Sequence, residues 1–404
     1  MGRKFIQNQL EAFVKANGRP LQIGIVNTGG TLTCLEGQNG LAPVQEKDLL
    51  EEIIANASEL GELAADGLAN YSVFYHRPVD SSQIKDPQRD PLIGPIAANY
   101  LKFDGFLVLH GTDTNALTAR HLHLSLPYFD IFAESGLSFN ADKPIILISS
   151  QEPLAVRKSK HLVPASGSDA DVNLSTAVSV LVQNKVGEAG LITNGYKVLR
   201  GTSAYKASES HIPAYDKDQG VSIVGERTAF AMILTDTGYL SRQFLAVSDK
   251  VPQYIPDIGK FEHRVFTIAE QSHVKSLDTY LRISKIDSIA GDFADTMPLV
   301  ALYVSKGAGN AEAEDTKVLA RFMEQGGLVL RVPISGGRVP KEMHYDVPGG
   351  DIPGVNIEST TSRYKAQAVL SLLERMKVPA NDRKEQFYHF MQEVRFGAEF
   401  LPTG

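Results

Sequence analysis

Residues 21–31 read LQIGIVNTGGT, a short and largely apolar run that stops abruptly at Asn27-Thr28-Gly29-Gly30-Thr31. Comparable runs recur at Tyr71–Tyr75, Gly105–Leu109, Pro144–Ile148 and Gly190–Thr193, with helical patterns between them. Leu49, Leu50, Ile53 and Ile54 form one helical stripe, and Leu174, Ala177, Val178 and Leu181 form another. Such alternation predicts an α/β fold whose large N-terminal domain holds a mainly parallel sheet flanked by helices on both faces. Polar residues cluster just after the apolar runs, at the end of such a sheet where ligands bind.

Working outward, MGRKFIQNQLEAFVKANG places Ile6, Leu10, Phe13 and Val14 on one face, which reads as a packing helix and not as a secretion signal. Beyond residue 207 the pattern weakens: VSIVG and TAFAMIL read as strands among connections rich in Asp, Lys, Pro and Tyr. A smaller C-terminal α/β unit follows, with strands at Val265–Ile268, Leu299–Val304 and Gly327–Val332 and helices near 272–284, 312–325, 363–376 and 383–396. The expected domains are therefore 1–215, carrying the conspicuous motifs, an elaborated linker at 216–261, and 262–404.

Composition narrows the function classes. The chain has 404 residues, 43% hydrophobic and 22% charged, which suits globular domains with real cores. With a net charge of -7 and no basic tract, nucleic acid and acidic membranes are not expected partners. No segment approaches the ~18 consecutive apolar residues of a membrane span. The single cysteine, Cys34, excludes an internal disulfide framework and fits a reducing compartment, so a cytoplasmic location is expected. The ten histidines show no ligand spacing, and His121 and His123 lie two apart, off a common helix face, so no metal is expected.

Two clusters invite chemistry. In Asn27-Thr28-Gly29-Gly30-Thr31 the glycines allow a tight turn and close backbone approach, and the threonines bring hydroxyls to the end of a strand. No Gly-Lys-Ser/Thr follows, so this is not a phosphate loop, and alone it is more often an ordinary turn. In His110-Gly111-Thr112-Asp113-Thr114, again between an apolar strand and a helix, Thr112 and Asp113 suit helix capping equally well. His110 reads as support for the turn. Two hydroxyl-rich turns at one end of a parallel sheet go beyond either bland reading.

Together the two clusters resemble the signature motifs of the bacterial-type L-asparaginase family, closer to its cytoplasmic type I members, and the interval from Thr31 to Thr112 matches the family's. Asp80-Ser81-Ser82 looks like the family's Asp-Ser-Ser turn, and Ser168-Asp169 with Asn173 is similar to its Ser-Asp-Gly…Asn segment. Arg200-Gly201 with Lys206 resembles its lysine stretch, and Gly307-Ala308-Gly309-Asn310 the Gly-x-Gly-Asn of its small domain. The resemblance covers about residues 20–210 and, more loosely, 262–378. It implies hydrolysis of L-asparagine to L-aspartate and ammonia, without a cofactor, in a homodimer or homotetramer. It also implies roles: Thr31 as nucleophile forming an acyl-enzyme, and Thr112, Asp113 and Lys206 as a proton-relaying group. Ser81, Ser82 and Asp113 would grip the carboxylate and ammonium of a small amino-acid amide. Burial would lower the pKa of Lys206 while Asp113 would raise it, and sequence leaves that balance open.

Three departures bear on substrate and activity. Gly40-Leu41-Ala42-Pro43 stands where the family carries a Gly-Tyr-x-Pro loop, so Leu41 replaces a phenol. Ser149-Ser150-Gln151-Glu152-Pro153 replaces Gly-Ala-Met-Arg-Pro, which predicts a changed pocket wall, and Ala170 replaces the glycine after Asp169. Pairing Ser82-Gln83 instead of Ser81-Ser82 with the family's serine turn costs Ile84 its apolar match. The alternatives to an asparaginase are a glutaminase-type or other small-amide hydrolase, a non-catalytic amino-acid-binding or regulatory protein on the same scaffold, and an ammonia-donating amidotransferase subunit.

Overall fold

The run that opens the pattern forms strand β1 (Leu21–Asn27) in a computed structural model. Described residues are 2–38, 40–84, 89–125, 143–183, 185–201, 203–217, 223–228, 231–234, 264–268, 297–305, 313–333, 355–356, 362–375 and 377–393. They divide into two compact units, one carrying the described residues up to 217 and from 223 to 234, the other those from 264 to 393.

In the larger unit, helix α1 (Gly2–Asn17) precedes β1. There follow the hairpin β2 (Cys34–Gly37) and β3 (Gly40–Pro43), helices α2 (Lys47–Ala57) and α3 (Glu59–Ala65), and strand β4 (Ala69–His76). Helix α4 (Asp90–Ala98), strand β5 (Gly105–Leu109), helix α5 (Asn115–Ser125) and strand β6 (Ile145–Ile148) come next. A second hairpin, β7 (Ala155–Lys158) and β8 (His161–Pro164), leads to helix α6 (Ala170–Gln183) and strands β9 (Ala189–Asn194) and β10 (Lys197–Arg200). The unit's remaining strands are β11 (Ala204–Lys206), β12 (Tyr215–Lys217), β13 (Gly225–Arg227) and β14 (Met232–Leu234).

The main sheet has the order β14-β13-β10-β9-β6-β5-β1-β4. Its β4, β1, β5, β6 and β9 run parallel, while β10, β13 and β14 continue it antiparallel. Side-chain alternation explains why the central strands read as unbroken apolar runs. Leu107, Leu109, Ile146 and Ile148 face a core shared with Ile6, Leu10, Leu50, Ile54, Leu174 and Val178. Their neighbours Phe106, Val108, Ile145 and Leu147 face the opposite core with Leu92, Ile96, Ala116 and Leu122. Each such side chain, fully covered, contributes about 1.5–3 kcal/mol of transfer free energy.

Residues 225–227 and 232–234, read from sequence within a linker, are the last two strands on one side of this sheet, opposite β4. They alternate buried and exposed residues, as antiparallel edge strands do: Gly225 and Arg227 are buried and Glu226 is exposed. The smaller unit holds the parallel sheet β15 (Val265–Ile268), β16 (Val300–Ser305), β17 (Leu328–Pro333) and β18 (Val355–Asn356). Helix α7 (Ala313–Glu324) packs Val318, Leu319 and Phe322 against Ala301, Tyr303 and Val329. Helices α8 (Ser362–Arg375) and α9 (Arg383–Glu393) follow among its described residues. The helix expected near 272–284 and the Gly307–Asn310 motif lie outside the described residues.

Candidate active site

Three adjacent strands, β4, β1 and β5, send their following loops out at one end of the sheet, because Asn27 is in register with His76 on one side and Leu109 on the other. The two motifs and the Asp-Ser-Ser turn therefore begin side by side. Hydrogen bonds then fix the loops to each other. Thr28 donates to the Leu109 carbonyl through both its backbone nitrogen and its Oγ1, each at 2.9 Å. The Val79 nitrogen donates to the Thr28 carbonyl at 2.8 Å, and Thr114 Oγ1 donates to the Ser81 carbonyl at 2.8 Å.

Glycine makes the convergence possible. Gly30 has a φ of +90°, and a methyl group there would overlap the Gly111 amide nitrogen and the His110 carbonyl oxygen. A methyl on Gly111 would come within 2.6 Å of Ser81 Cβ and 3.4 Å of Gly30 Cα. Gly30 and Gly111 are thus packed backbone to backbone with the Ser81 side chain against Gly111, and Thr31 and Thr112 each stand one residue further on. Thr31 opens a single 3-10 turn (Thr31–Thr33) and is half-buried. The hydroxyls of Thr31, Thr112 and Ser81 form no hydrogen bond with any described residue. Ser82 is exposed, and its Oγ accepts from Gln83 Nε2 at 3.1 Å.

Lys206 arrives from the β11–β12 ribbon, which is tied to α5 by Arg120 donating to the Gly201 and Ala204 carbonyls at 3.2 and 2.7 Å. Its Nζ donates to Asp113 Oδ1 at 2.7 Å and also to Glu209 Oε2. Burial alone would lower the lysine's pKa, but hydrogen bonds and charge from Asp113 and Glu209 outweigh it and hold the pKa above the usual lysine value. A second carboxylate, three residues from the lysine, thus acts beside Asp113 and in the same direction.

A buried relay that sequence reading missed supports the Thr112 turn. Asn115 Nδ2 donates to Ser149 Oγ at 3.0 Å, Ser149 bonds the Tyr215 hydroxyl at 2.8 Å, and Tyr215 donates to the Thr112 carbonyl at 2.9 Å. Burial, opposed by the Ser149 and Asn115 hydrogen bonds, drives the Tyr215 pKa up, so the phenol stays neutral. Ser149, expected at a pocket wall, is buried in this relay. Asp169 accepts from the Gln151 nitrogen at 3.0 Å, the Glu152 nitrogen at 3.2 Å and Asn173 Nδ2 at 3.3 Å, which fixes the 149–153 segment. His110 does brace its turn: wholly buried, its Nδ1 donates to the Gly111 carbonyl at 2.8 Å and its Nε2 accepts from Thr118 Oγ1 at 2.9 Å. Leu41, expected from sequence where the family carries a phenol, is exposed on the β2–β3 hairpin opposite Glu36. His121 and His123 are both buried on α5, His123 bonding the Ala189 carbonyl at 3.1 Å.

A family model described as asparaginase, N-terminal, matches residues 22–227, the segment that carries all of these loops. The chain belongs to the asparaginase family. L-asparaginase 1 of Escherichia coli strain K12 is 27% identical over 194 residues, or 48% of this chain and 49% of that protein. The chain thus aligns with about half the length of the curated relatives it matches. The solved structure of L-asparaginase I from Vibrio cholerae O1 biovar eltor str. N16961 superposes with a TM-score of 0.64 at 20% identity, covering 95% of this chain and 100% of that one. The thermostable L-asparaginase from Thermococcus kodakarensis gives 0.64 at 16% identity, covering 94% and 99%. At these identities the likeness is one of fold, a two-domain α/β architecture. Among the described residues no helix is long and apolar enough to cross a membrane, and no group of His, Cys, Asp or Glu is arranged to hold a metal ion.

Proposed function

We propose that this asparaginase-family chain hydrolyses the side-chain amide of L-asparagine to L-aspartate and ammonia, with Thr31 as nucleophile. One observation carries the reading: the free hydroxyls of Thr31 and Thr112 flank a packed pair of glycines, and Lys206 is bonded to the residue that follows Thr112. Attack of Thr31 Oγ1 on the amide carbon requires its proton to leave and the departing nitrogen to gain one. Thr112 and Lys206 supply that path: the threonine hydroxyl proton passes through the relay to the nitrogen, the C–N bond breaks, and an ester on Thr31 remains. Water then attacks the ester carbon, loses its proton to the same relay, and releases aspartate with Thr31 restored. Because Asp113 and Glu209 favour the ammonium form of Lys206, the neutral amine is a minor resting species that must form before it can take a proton.

Ser81 and Ser82, with the backbone around them, suit the substrate's α-carboxylate, and Asp113 suits its ammonium. The expected assembly is a homodimer or homotetramer, and the expected location the cytoplasm, where one reduced, buried cysteine is at home. The test is ammonia release by the purified protein from asparagine, glutamine and related amides, beside Thr31→Ala. Turnover on asparagine that falls by roughly a thousandfold or more in the variant, with aspartate binding by calorimetry retained, supports the assignment.

A second reading rests on the exposed Leu41 in place of the family's phenol: a protein that binds a small amino acid without turning it over. It predicts aspartate or asparagine binding with no ammonia from any amide, and no change on Thr31→Ala.

A further inference from the structure

Glu209 lies outside every motif, yet it is one of two carboxylates on the amine of Lys206. The turn that carries it is well fixed. The Ala207 and Ser208 nitrogens both donate to the Ala214 carbonyl, at 2.9 and 3.1 Å, and the His211 nitrogen donates to Ser208 Oγ at 2.9 Å. Gln151 Nε2 reaches the Ser208 and His211 carbonyls at 3.4 and 3.5 Å, linking the turn to the segment braced by Asp169. The Lys206 side chain is 12% exposed, whereas that of Glu209 is 82% exposed. The lysine is therefore shared between Asp113, beside the Thr112 turn and itself 47% exposed, and a carboxylate still more open to solvent.

Resting on the amidohydrolase reading above, we propose that Glu209 is a positioning residue that restrains Lys206, holding its amine charged and so limiting the pH range in which the relay can accept a proton. The ionisable and charged groups around Lys206 are few enough for the effect to be isolated. Asp113 comes from the turn before α5, Arg120 from α5, Glu209 and His211 from the 207–213 turn, Tyr205 from β11, and Tyr215, Asp216 and Lys217 from β12. Of these, Asp113 and Glu209 are the ones that act on the lysine's charge. His211 is engaged by Ser208, and Tyr215 by Ser149 and Thr112. Asp113 is needed for the site itself, which leaves Glu209 as the adjustable partner. Its exposure means that salt screens it, so the restraint depends on ionic strength.

The test compares the wild-type chain with Glu209→Gln at low ionic strength and in 1 M sodium chloride. Two readouts are followed against pH: ammonia release from L-asparagine, and the titration of Lys206 by NMR of protein labelled with ¹³C at the lysine ε-carbon. In Glu209→Gln the lysine should titrate about half a pH unit lower, and below both midpoints ammonia release should run roughly threefold faster. High salt should shrink both differences. A common midpoint in the two proteins overturns the proposal, as does a lowered midpoint with an unchanged rate profile. If the folded wild type releases no ammonia from any amide, the amidohydrolase reading fails separately. The lysine titration then decides alone whether Glu209 governs that charge.

Discussion

Lowering the pH from 7 to 4.5 should loosen the centre of the large sheet through one group, His110. Its ring is wholly buried at the end of β5, with Nδ1–H bonded to the Gly111 carbonyl and Nε2 accepting from Thr118, whose Oγ1 also accepts from Arg89 Nε at 3.0 Å. Protonation would place a second N–H where a hydroxyl is already donating, close to a guanidinium. Burial therefore lowers the His110 pKa from 6.5 to about 4, with Arg89 acting in the same direction and the Gly111 hydrogen bond and Asp113 opposing. The folded-state pKa lies below the unfolded one, so the unfolded chain binds more protons between the two values. Stability is complete above the unfolded pKa and is lost as pH falls towards the folded one. Each pH unit in that window costs about 1.4 kcal/mol, which gives roughly 2–2.5 kcal/mol between pH 7 and 4.5. Native-state hydrogen exchange of the β5 amides, compared between wild type and His110→Gln, isolates this contribution from the carboxylates that titrate in the same range. The stability gap between the two proteins should narrow by that amount as the pH falls. A ring titrating near its usual value by NMR, or two curves that run parallel, would refute the reasoning.

Gly30→Ala should cost more than about 2 kcal/mol and most of the activity, since the backbone sits at positive φ and the methyl would overlap the Gly111 amide; thermal unfolding and ammonia release read the two losses. Tyr215→Phe removes the hydroxyl between Ser149 and the Thr112 carbonyl, so about 1–2 kcal/mol of stability and roughly a tenfold fall in kcat are expected, with KM little changed. In the smaller unit, Tyr303→Phe takes from the buried Asp315 carboxylate its 2.8 Å donor; hydrogen exchange in β16 should report a loss of about 1–3 kcal/mol there and none in β5.

The parts of the fold legible in the sequence are those where burial is symmetrical. A central parallel strand is covered on both faces, so Gly105–Leu109 and Ile145–Ile148 are written as continuous apolar runs that composition alone reveals. Edge strands carry no such signature. Gly225–Arg227 has a buried arginine paired with Glu59 from α3 at 3.2 Å, and Met232–Leu234, the end of a run read as a strand, exposes Ile233, so neither showed in the sequence as part of the main sheet. The motif loops were legible because strand order brings them together without help from any distant residue. The relay roles of Tyr215 and Ser149 were not, because they rest on tertiary hydrogen bonds to Thr112, Asn115 and each other that no spacing in the chain encodes; Glu209 lies only three residues from Lys206, but no motif marks it.

The hydroxyls of the site divide in a way that motif matching alone does not show. Each of the two turns carries a pair of threonines, and in each pair one member is consumed by the backbone: Thr28 donates to the Leu109 carbonyl and Thr114 to the Ser81 carbonyl. The other members, Thr31 and Thr112, keep their hydroxyls free. The consumed pair ties the loops after β1, β4 and β5 into one unit before any ligand arrives, so little ordering is left to be done when a substrate binds. The free pair then stands on a frame already rigid at both ends, which is the condition under which a weak nucleophile such as a threonine hydroxyl gains most from proximity, since the cost of orienting it has been met in folding. Lys206 is the exception within this frame, because its amine is divided between a carboxylate inside the site and one outside it. Threonine geometry is set by the sheet, whereas the charge of the lysine is held by two neighbours that differ in exposure, so that on the proposed relay the lysine is the adjustable member and the hydroxyls the fixed ones.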